Sequence, residues 1–454
     1  MTASASRPRP ARRAIDELSL PVDRSLLEAL TAGEPDWLVA DRRAAFEAWE
    51  RLPGESNLLY TPYIDLRAAQ LEDATIVVDP PSGSADAGTT GLPDDADAII
   101  EITEDRVTTL AVSDAAATIA LRTLADDLDA VRHELLATDA LIPDDKFAQL
   151  TRALWSQGVL VDVPAGVTLD KPIVIRWALG APGRALLTRT IVRLGEGASA
   201  SIVEEFVPVP GSDPTPAQSF FAGTMEVTLG KDATLQVASL QELPPNIVAI
   251  QHRAASLGEA ATLQWALAQL GGRLVRSRVD NRLVGDRSSV RQVEIVFGTE
   301  EQLFDLTSYT THIGKDTTGD LLSKAALLEK ARTYLKGLIT IERSANGTDS
   351  FLGEFGMNLS KNARSVAIPS LEIDQPDCRR AAHSSSVGPI DETQLFYLES
   401  RGIPPDEARK FIVLGFLEPV VARVPLASAQ DRLHELLEEK WIAGTDGVAG
   451  EAAA

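Results

Sequence analysis

One short turn recurs through the middle of the chain at a nearly fixed interval. Leu194-Gly-Glu-Gly-Ala-Ser199, Leu229-Gly-Lys-Asp-Ala-Thr234, Leu257-Gly-Glu-Ala-Ala-Thr262, Val284-Gly-Asp-Arg-Ser-Ser289 and Ile313-Gly-Lys-Asp-Thr-Thr318 share one shape. Each sets a glycine before two or three small or charged residues, then Ser or Thr, then an alternating strand. Pro164-Ala-Gly-Val-Thr168 reads as an earlier degenerate copy and Ala345-Asn-Gly-Thr348 as a later one. The glycines stand at 166, 195, 230, 258, 285, 314 and 347, at intervals of 29, 35, 28, 27, 29 and 33 residues. Glycine supplies the positive φ that a tight turn needs, and Ser or Thr re-enters the strand. Recurrence at a nearly fixed period marks a solenoid. Along one copy, Leu235, Val237 and Ser239 face one way and Gln236 and Ala238 the other, as in a wall exposed on one side. Residues 158–382 are therefore read as a mainly β, stacked domain, a parallel right-handed β-helix. A plain β-sandwich with glycine turns recurring by chance is the competing fold.

Helical patterns flank this core. Residues 24–52 carry Leu38, Arg42, Ala45, Phe46 and Trp49 on one stripe, and Pro53-Gly54 stops them. Residues 80–96, rich in Pro, Gly, Ser and Asp, read as a loop. Residues 113–155 read as helix, with Leu121, Leu124, Leu128 and Val131 on one side and a short final helix opened by Pro143-Asp-Asp145. Past the core, Asp391 caps a helix that ends at Ser400-Arg401, with Gly402 just beyond it. A second helix opens at Pro404-Pro405 with Ala408, Phe411, Ile412, Gly415 and Phe416 on one face. A third covers about 428–441 with Leu433, Leu436, Leu437 and Trp441 together. Apolar helices at a chain end must cover the β-domain or a partner. The expected division is a helix-rich region over 1–155, whose first 16 residues form a flexible arm, a β-helix over 156–385 and a helical domain over 386–454.

Composition removes several functions. The 43 basic and 66 acidic residues leave a formal charge of −23, which disfavours nucleic acid and anionic membranes. The lone cysteine, Cys378, permits no internal disulfide and no paired-cysteine metal site, and it suits a reducing, cytoplasmic compartment. No run of 18 apolar residues suggests a membrane span, and the basic N-terminus lacks the apolar segment of a secretory signal. Gly230-Lys231 and Gly314-Lys315 are each followed by Asp, so neither is a phosphate-binding loop. The zinc-helix and nucleophile-elbow patterns are also missing. Of five histidines, His133 and His434 fall on exposed helix faces, whereas His312, before a turn, and His383, at the seam between β-domain and tail, have the better claim to function. The carboxylates show no catalytic pairing. Asp126-Asp127 and Asp144-Asp145 read as helix-surface charge and caps, and Asp94–Asp105 as a solvated loop and edge strand. The chain is not expected to be an enzyme.

Three stretches carry a family resemblance: Gly158-Val-Leu-Val-Asp-Val-Pro-Ala-Gly-Val167 with Pro172-Ile-Val-Ile175; His312, Lys324-Ala-Ala-Leu-Leu328, Gly337-Leu-Ile-Thr-Ile341 and Thr348-Asp349; and Pro369-Ser-Leu-Glu-Ile373, His383-Ser-Ser-Ser-Val-Gly388, Ile390-Asp391, Gln394-Leu-Phe-Tyr-Leu398 and Ser400-Arg-Gly402. Over roughly 155–441 they resemble the SufB/SufD family of iron–sulfur cluster assembly proteins, closest to its SufD branch. The family's SufB members carry an acceptor cysteine in a stretch that aligns near Glu354, where Phe351–Leu359 has none, and a glutamate after the histidine, where Ser384 stands here. Ala381-Ala382 occupy the place where SufD usually carries a cysteine.

The resemblance implies a scaffold subunit that pairs with a SufB-like subunit through the β-helical cores and binds a SufC-like ABC-type ATPase through the C-terminal helices. No stably bound cofactor is implied, only a transient iron–sulfur cluster at the complex interface. His383 is the implied cluster ligand, with Cys378 a weaker candidate. Phe396, Tyr397, Arg401, Phe411 and Phe416 fall in the implied ATPase-docking region, and His312, Gly388, Asp391 and Gly402 complete the family motif. The alternatives are a SufB-like paralogue, a partner-binding β-solenoid without cluster chemistry, and a polysaccharide-acting β-helix enzyme. The last would need paired carboxylates on one wall.

Overall fold

A computed structural model of the 454-residue chain describes residues 15, 17–55, 57, 65–79, 91–126, 128–129, 131–136, 140–209, 217–424 and 427–452. The expected flexible arm lies almost wholly outside these residues, as does most of the expected 80–96 loop. The N-terminal region holds α1 (Arg24–Leu30), α2 (Asp36–Arg51), β1 (Thr75–Ile76), β2 (Ala98–Thr103), β3 (Arg106–Val112), β4 (Ala120–Thr123), α3 (Arg132–Leu136) and α4 (Lys146–Leu154). The 24–52 helix is thus two helices. Gly33 adopts φ +88°, and Pro35, as N-cap of α2, keeps Glu34 out of helical geometry.

Residues 113–155 depart further from expectation. Instead of one helix they form a 3-10 turn, β4, the short α3 and α4. Leu121 lies in β4, which pairs antiparallel with the first solenoid strand through Leu121↔Val161 and Thr123↔Val159. Leu124, Leu128 and Val131 still pack together, with Leu135 and Trp155, but from turns and α3. The expected edge strand within Asp94–Asp105 is also corrected. β2 is interior, paired with β3 on one side and with the strand Ile173–Leu179 on the other. Its leading Asp97 is buried, accepting from Ser113 Oγ and Lys171 N at 3.1 Å each.

The solenoid alternates between two walls. Its strands are β5 (Gln157–Val163), β6 (Ile173–Leu179), β7 (Arg184–Leu194), β8 (Ser199–Pro208), β9 (Ser219–Leu229), β10 (Thr234–Gln241), β11 (Ile247–Leu257), β12 (Thr262–Gln269), β13 (Leu274–Leu283), β14 (Ser289–Gly298), β15 (Leu303–His312), β16 (Thr318–Leu327), β17 (Arg332–Ile341), β18 (Asp349–Asn358), β19 (Arg364–Ile373) and β20 (Arg380–Gly388). Odd-numbered strands from β5 to β19 form one parallel wall and even-numbered strands from β6 to β20 the other. Stacking is in register, so Leu235↔Leu263, Val237↔Trp265 and Thr262↔Ser289 repeat the same position on successive rungs. The apolar residues pointing between the walls form one continuous core that includes Ile202, Val237, Trp265, Leu306 and Leu335. Each such side chain contributes roughly 1.5–3 kcal/mol on burial.

The repeat glycines act for a reason different from the one expected. Gly195, Gly230, Gly258, Gly285 and Gly314 do not have positive φ; that role falls two residues later, to Gly197 (66°), Asp232 (56°), Ala260 (55°), Arg287 (60°) and Asp316 (54°). The repeat glycines instead sit where consecutive rungs touch. A Cβ on Gly285 would lie 2.1 Å from Glu259 N, and one on Gly314 would lie 2.4 Å from Gly285 O. Gly166 and Gly347 do take positive φ, at 73° and 76°. They therefore correspond to Gly197 and Asp316 rather than to Gly195 and Gly314.

Helices cover the outside of both walls. From the N-terminal region, Phe46, Phe147 and Leu150 pack on Phe220, Ala222, Val248 and Ile250 of the odd wall. Asp145, expected on a helix surface, is buried. It caps α4 by accepting from Phe147 N (3.0 Å) and Ala148 N (2.8 Å), and it pairs with Arg276 (2.6 Å) and Arg278 (3.2 Å) of β13. Burial pushes this carboxyl up, but the two guanidiniums outweigh it and hold the group far below the usual carboxylate range.

The tail comprises α5 (Glu392–Glu399), α6 (Pro405–Val421) and α7 (Ala427–Ala452). α6 and α7 lie on the even wall, where Leu433, Leu436, Leu437 and Trp441 pack on residues such as Ala266, Val293 and Ile295. The buried residues of α6 are Ala408, Val413, Leu417 and Val421, so of the expected face of Ala408, Phe411, Ile412, Gly415 and Phe416 only Ala408 is fully buried. Phe411 is 58% exposed, Gly415 is exposed and Phe416 is half-buried.

Candidate functional site: the open end of the solenoid and the exposed helix pair

β19 and β20 are the last strands of their walls. Register places their inward residues directly on the core rows: Ala367 on Leu335, Leu371 on Ile339, Ile373 on Ile341, and His383 on Leu352. The earlier residues in these rows are buried. On the last rung they meet solvent, with Ile373 45% and Val387 40% exposed. Among the described residues the coil ends with its interior uncovered and with no strand paired to the outer edges of β19 and β20.

His383 belongs to this end. It lies within β20, before the strand closes at Gly388, and not at a break between domains. It is exposed, and its imidazole has no hydrogen-bond partner among the described residues. Cys378 is half-buried in the corner before β20, packed with Leu371 and Ala381 against Ile339, Ile341 and Leu352. Its thiol fills an apolar corner. Among the described residues, no three His, Cys, Asp or Glu side chains converge as a metal-holding group.

His312 has a different setting. It ends β15, fully buried, with Nδ1 2.8 Å from Thr317 Oγ1 and Nε2 3.0 Å from Ser350 Oγ. Both hydroxyls also reach backbone carbonyls, Ser350 Oγ donating to Gly319 O at 3.3 Å and Thr317 Oγ1 to Gly314 O at 3.4 Å. Gly319 leaves room for the ring, since a Cβ there would lie 3.1 Å from Nε2. Burial lowers the pKa to about 4, so the ring is neutral and structural.

The geometry adds Glu354, a residue the sequence marked only for not being cysteine. It is buried on the inward face of β18, opposite Ser385 of β20 and diagonal to His383. Its Oε2 accepts from Ile368 N of β19 at 2.8 Å. Burial raises its pKa to about 8, against the opposing effect of that hydrogen bond. A neutral carboxylic acid therefore sits one rung beneath the open end. The sequence signal is the alternation of β18, which points Glu354 inward beside Leu352.

A second exposed surface lies on the tail. Asp391 accepts from Thr393 N (2.8 Å) and caps α5, and Gly402 follows the helix with φ +86°. Between these stops, Phe396 is 71% and Tyr397 54% exposed, with the Arg401 guanidinium 4.4 Å from the Tyr397 ring centroid. Phe411 of α6 is exposed as well. Phe416 faces the opposite way, with Lys324 Nζ 4.6 Å from its ring centroid and donating to its carbonyl at 2.9 Å. Pro419 within α6 lacks the amide hydrogen that would continue the helical ladder, and Lys324 ties this part of the helix to β16. Of the five residues expected at a docking face, Phe396, Tyr397, Arg401 and Phe411 are exposed and Phe416 anchors the helix to the wall.

Comparison with known proteins is consistent with this architecture. Residues 178–416, just over half of the chain, match the family described as SUF system FeS cluster assembly, SufBD core domain. The chain is 28% identical over 313 residues to the iron–sulfur cluster assembly protein SufD of Bacillus subtilis, covering 69% of this chain and 70% of that one. It is 28% identical over 298 residues to an iron–sulfur cluster assembly SufBD family protein of Staphylococcus epidermidis, covering 65% of this chain and 63% of the relative. An inward histidine on the last rung, no cysteine along β18, and matches that include a SufD agree with one another. The chain belongs to the SufB/SufD family of iron–sulfur cluster assembly proteins and is SufD-like.

Proposed function

We propose that this chain is a cytoplasmic scaffold subunit, not an enzyme, that pairs through its open solenoid end with a SufB-like subunit and presents α5 and α6 to a SufC-like ABC-type ATPase. The observation that carries the reading is the uncovered last rung. Ile373 and Val387 continue buried core rows into solvent, beside two unpaired strand edges. Such an end is completed by another chain laying its own strands and apolar residues on it. His383 then lies inside the junction. A neutral imidazole nitrogen is a good iron ligand, and a nascent iron–sulfur cluster is the cargo that His383 would help hold, with the remaining ligands supplied by the partner. Phe396, Tyr397 and Phe411 are exposed aromatic side chains on α5 and α6, with the Arg401 cation over the Tyr397 ring, which suits a helix-groove contact with the ATPase.

The test is co-expression with the SufB and SufC proteins of the same genome, followed by size-exclusion chromatography. A ternary complex supports the reading; recovery of this chain alone, with neither partner, refutes it. Changing His383 to Ala within the complex separates cluster chemistry from a purely structural role. Loss of cluster formation on an intact complex supports the ligand role, and unchanged formation assigns the chain to scaffolding alone.

A further inference from the structure

A cleft of about 530 Å³ lies between the N-terminal segment and the first residues of the odd-wall strands. This is within the size of small-molecule sites, roughly 300–1,000 Å³. Leu274 and Leu303, which begin β13 and β15, and Tyr334 of β17 give it an apolar and aromatic floor. Arg332 stands in register with Leu303, which is in register with Leu274, and Arg273 directly precedes Leu274. Arg273 and Arg332 therefore line the cleft two rungs apart, about 10 Å between backbones.

The charges of the wall are not balanced. Asp65 already holds Arg67 through contacts of 2.8 and 2.7 Å, and Glu301 lies 3.4 Å from Lys330. Arg273 and Arg332 are exposed and form no ion pair among the described residues. In a chain of formal charge −23, two uncompensated guanidiniums on one concave surface are a local reversal of sign. Guanidinium forks bind phosphate oxygens in pairs, and a separation of two rungs suits a diphosphate-sized anion better than a single carboxylate.

We propose that this cleft binds a small organic phosphate, with the anion between Arg273 and Arg332 and the organic part on Leu274, Leu303 and Tyr334. The proposal does not depend on the pairing and ATPase contacts proposed above. Its test is calorimetric titration of the full chain, at one fixed ionic strength, with pyrophosphate and with ADP. The expected result is one site per chain for both probes, with ADP the tighter. The double variant Arg273→Gln/Arg332→Gln should weaken both about tenfold or more at unchanged thermal stability, because both side chains are exposed. Arg287→Gln, on a remote turn and also exposed, should leave both affinities unchanged. Absence of saturable binding at millimolar probe would overturn the proposal, as would an equal loss in Arg287→Gln, which would indicate general charge attraction. Equal affinity for the two probes would overturn the organic part.

Discussion

The two ends of the solenoid are finished in opposite ways. At the first rung, β4 pairs with β5, and the β2–β3 hairpin extends the other wall. Val107, Ala116 and Leu121 contribute to the core there and are buried. At the last rung the same inward rows reach Ile373, His383 and Val387, which are exposed, with none of the described residues covering them. The difference is not one of composition, because apolar residues occupy the inward rows at both ends. A free-standing solenoid needs a capping repeat with a polar outer face. Among the described residues only the first end carries such a cover, and the proposed pairing at the second end rests on that difference.

The sharpest way to break this contrast is to compare substitutions at the covered and open regions. Asp145→Ala should cost about 3–5 kcal/mol in urea unfolding, because it leaves Arg276 buried without its carboxylate and removes one of the three that surround Arg278, which keeps Asp280 and Asp144. A cost below about 1 kcal/mol would mean that the N-terminal cover is loosely held. Glu354 tests the rung beneath the open end. Its folded pKa, about 8, lies above its ordinary 4.5, so the folded chain binds the extra proton between those values. Its contribution is complete below pH 4.5 and is lost as pH rises through 8, on the order of 5 kcal/mol over the whole window. Glu354→Gln should flatten that slope in pH-dependent unfolding. The proposed pairing, by burying the end further, should displace the transition to still higher pH.

His312 runs with the opposite sign. Its folded pKa, about 4, lies below 6.5, so the unfolded chain binds more protons between these values. Stability falls as pH drops from 6.5 to 4, by about 3 kcal/mol, and His312→Asn should abolish that acid-side loss. The smallest expected effect is at the open end itself. His383→Ala should change the stability of the isolated chain by no more than about 0.5 kcal/mol, because the side chain is exposed. A large loss there would show that the rung is braced within the chain.

The solenoid was legible because in-register stacking demands the same kind of residue at the same place on every rung, which leaves a period in the sequence. The physical role of its glycines was not legible. Close approach between rungs and a left-handed backbone both select glycine, and only the structure separates Gly285 from Arg287 two positions on. The N-terminal region misled because Leu121 and Leu124 are spaced for a helix yet also fit a strand followed by a turn. α6 misled for a related reason: it is apolar on two sides, and the aromatic side marked by Phe411 faces out while Val413, Leu417 and Val421 face the wall. Of the candidate site, the capped helix after Asp391 was readable from local pattern, whereas His383, expected at a seam, lies within β20. Glu354 was not readable, because an inward carboxylate is recognisable only once the inward face of β18 is known.

The account rests on the open end being an interface. Its most direct test is to place a charge there, with Ile373→Asp and Val387→Asp together, and to measure the mass of the co-expressed complex by light scattering. The predicted result is a folded chain with unchanged circular dichroism that no longer joins the SufB-like subunit but still binds the SufC-like ATPase through α5 and α6. A doubly charged variant that assembles with the SufB-like subunit as well as the unaltered chain does would contradict the account.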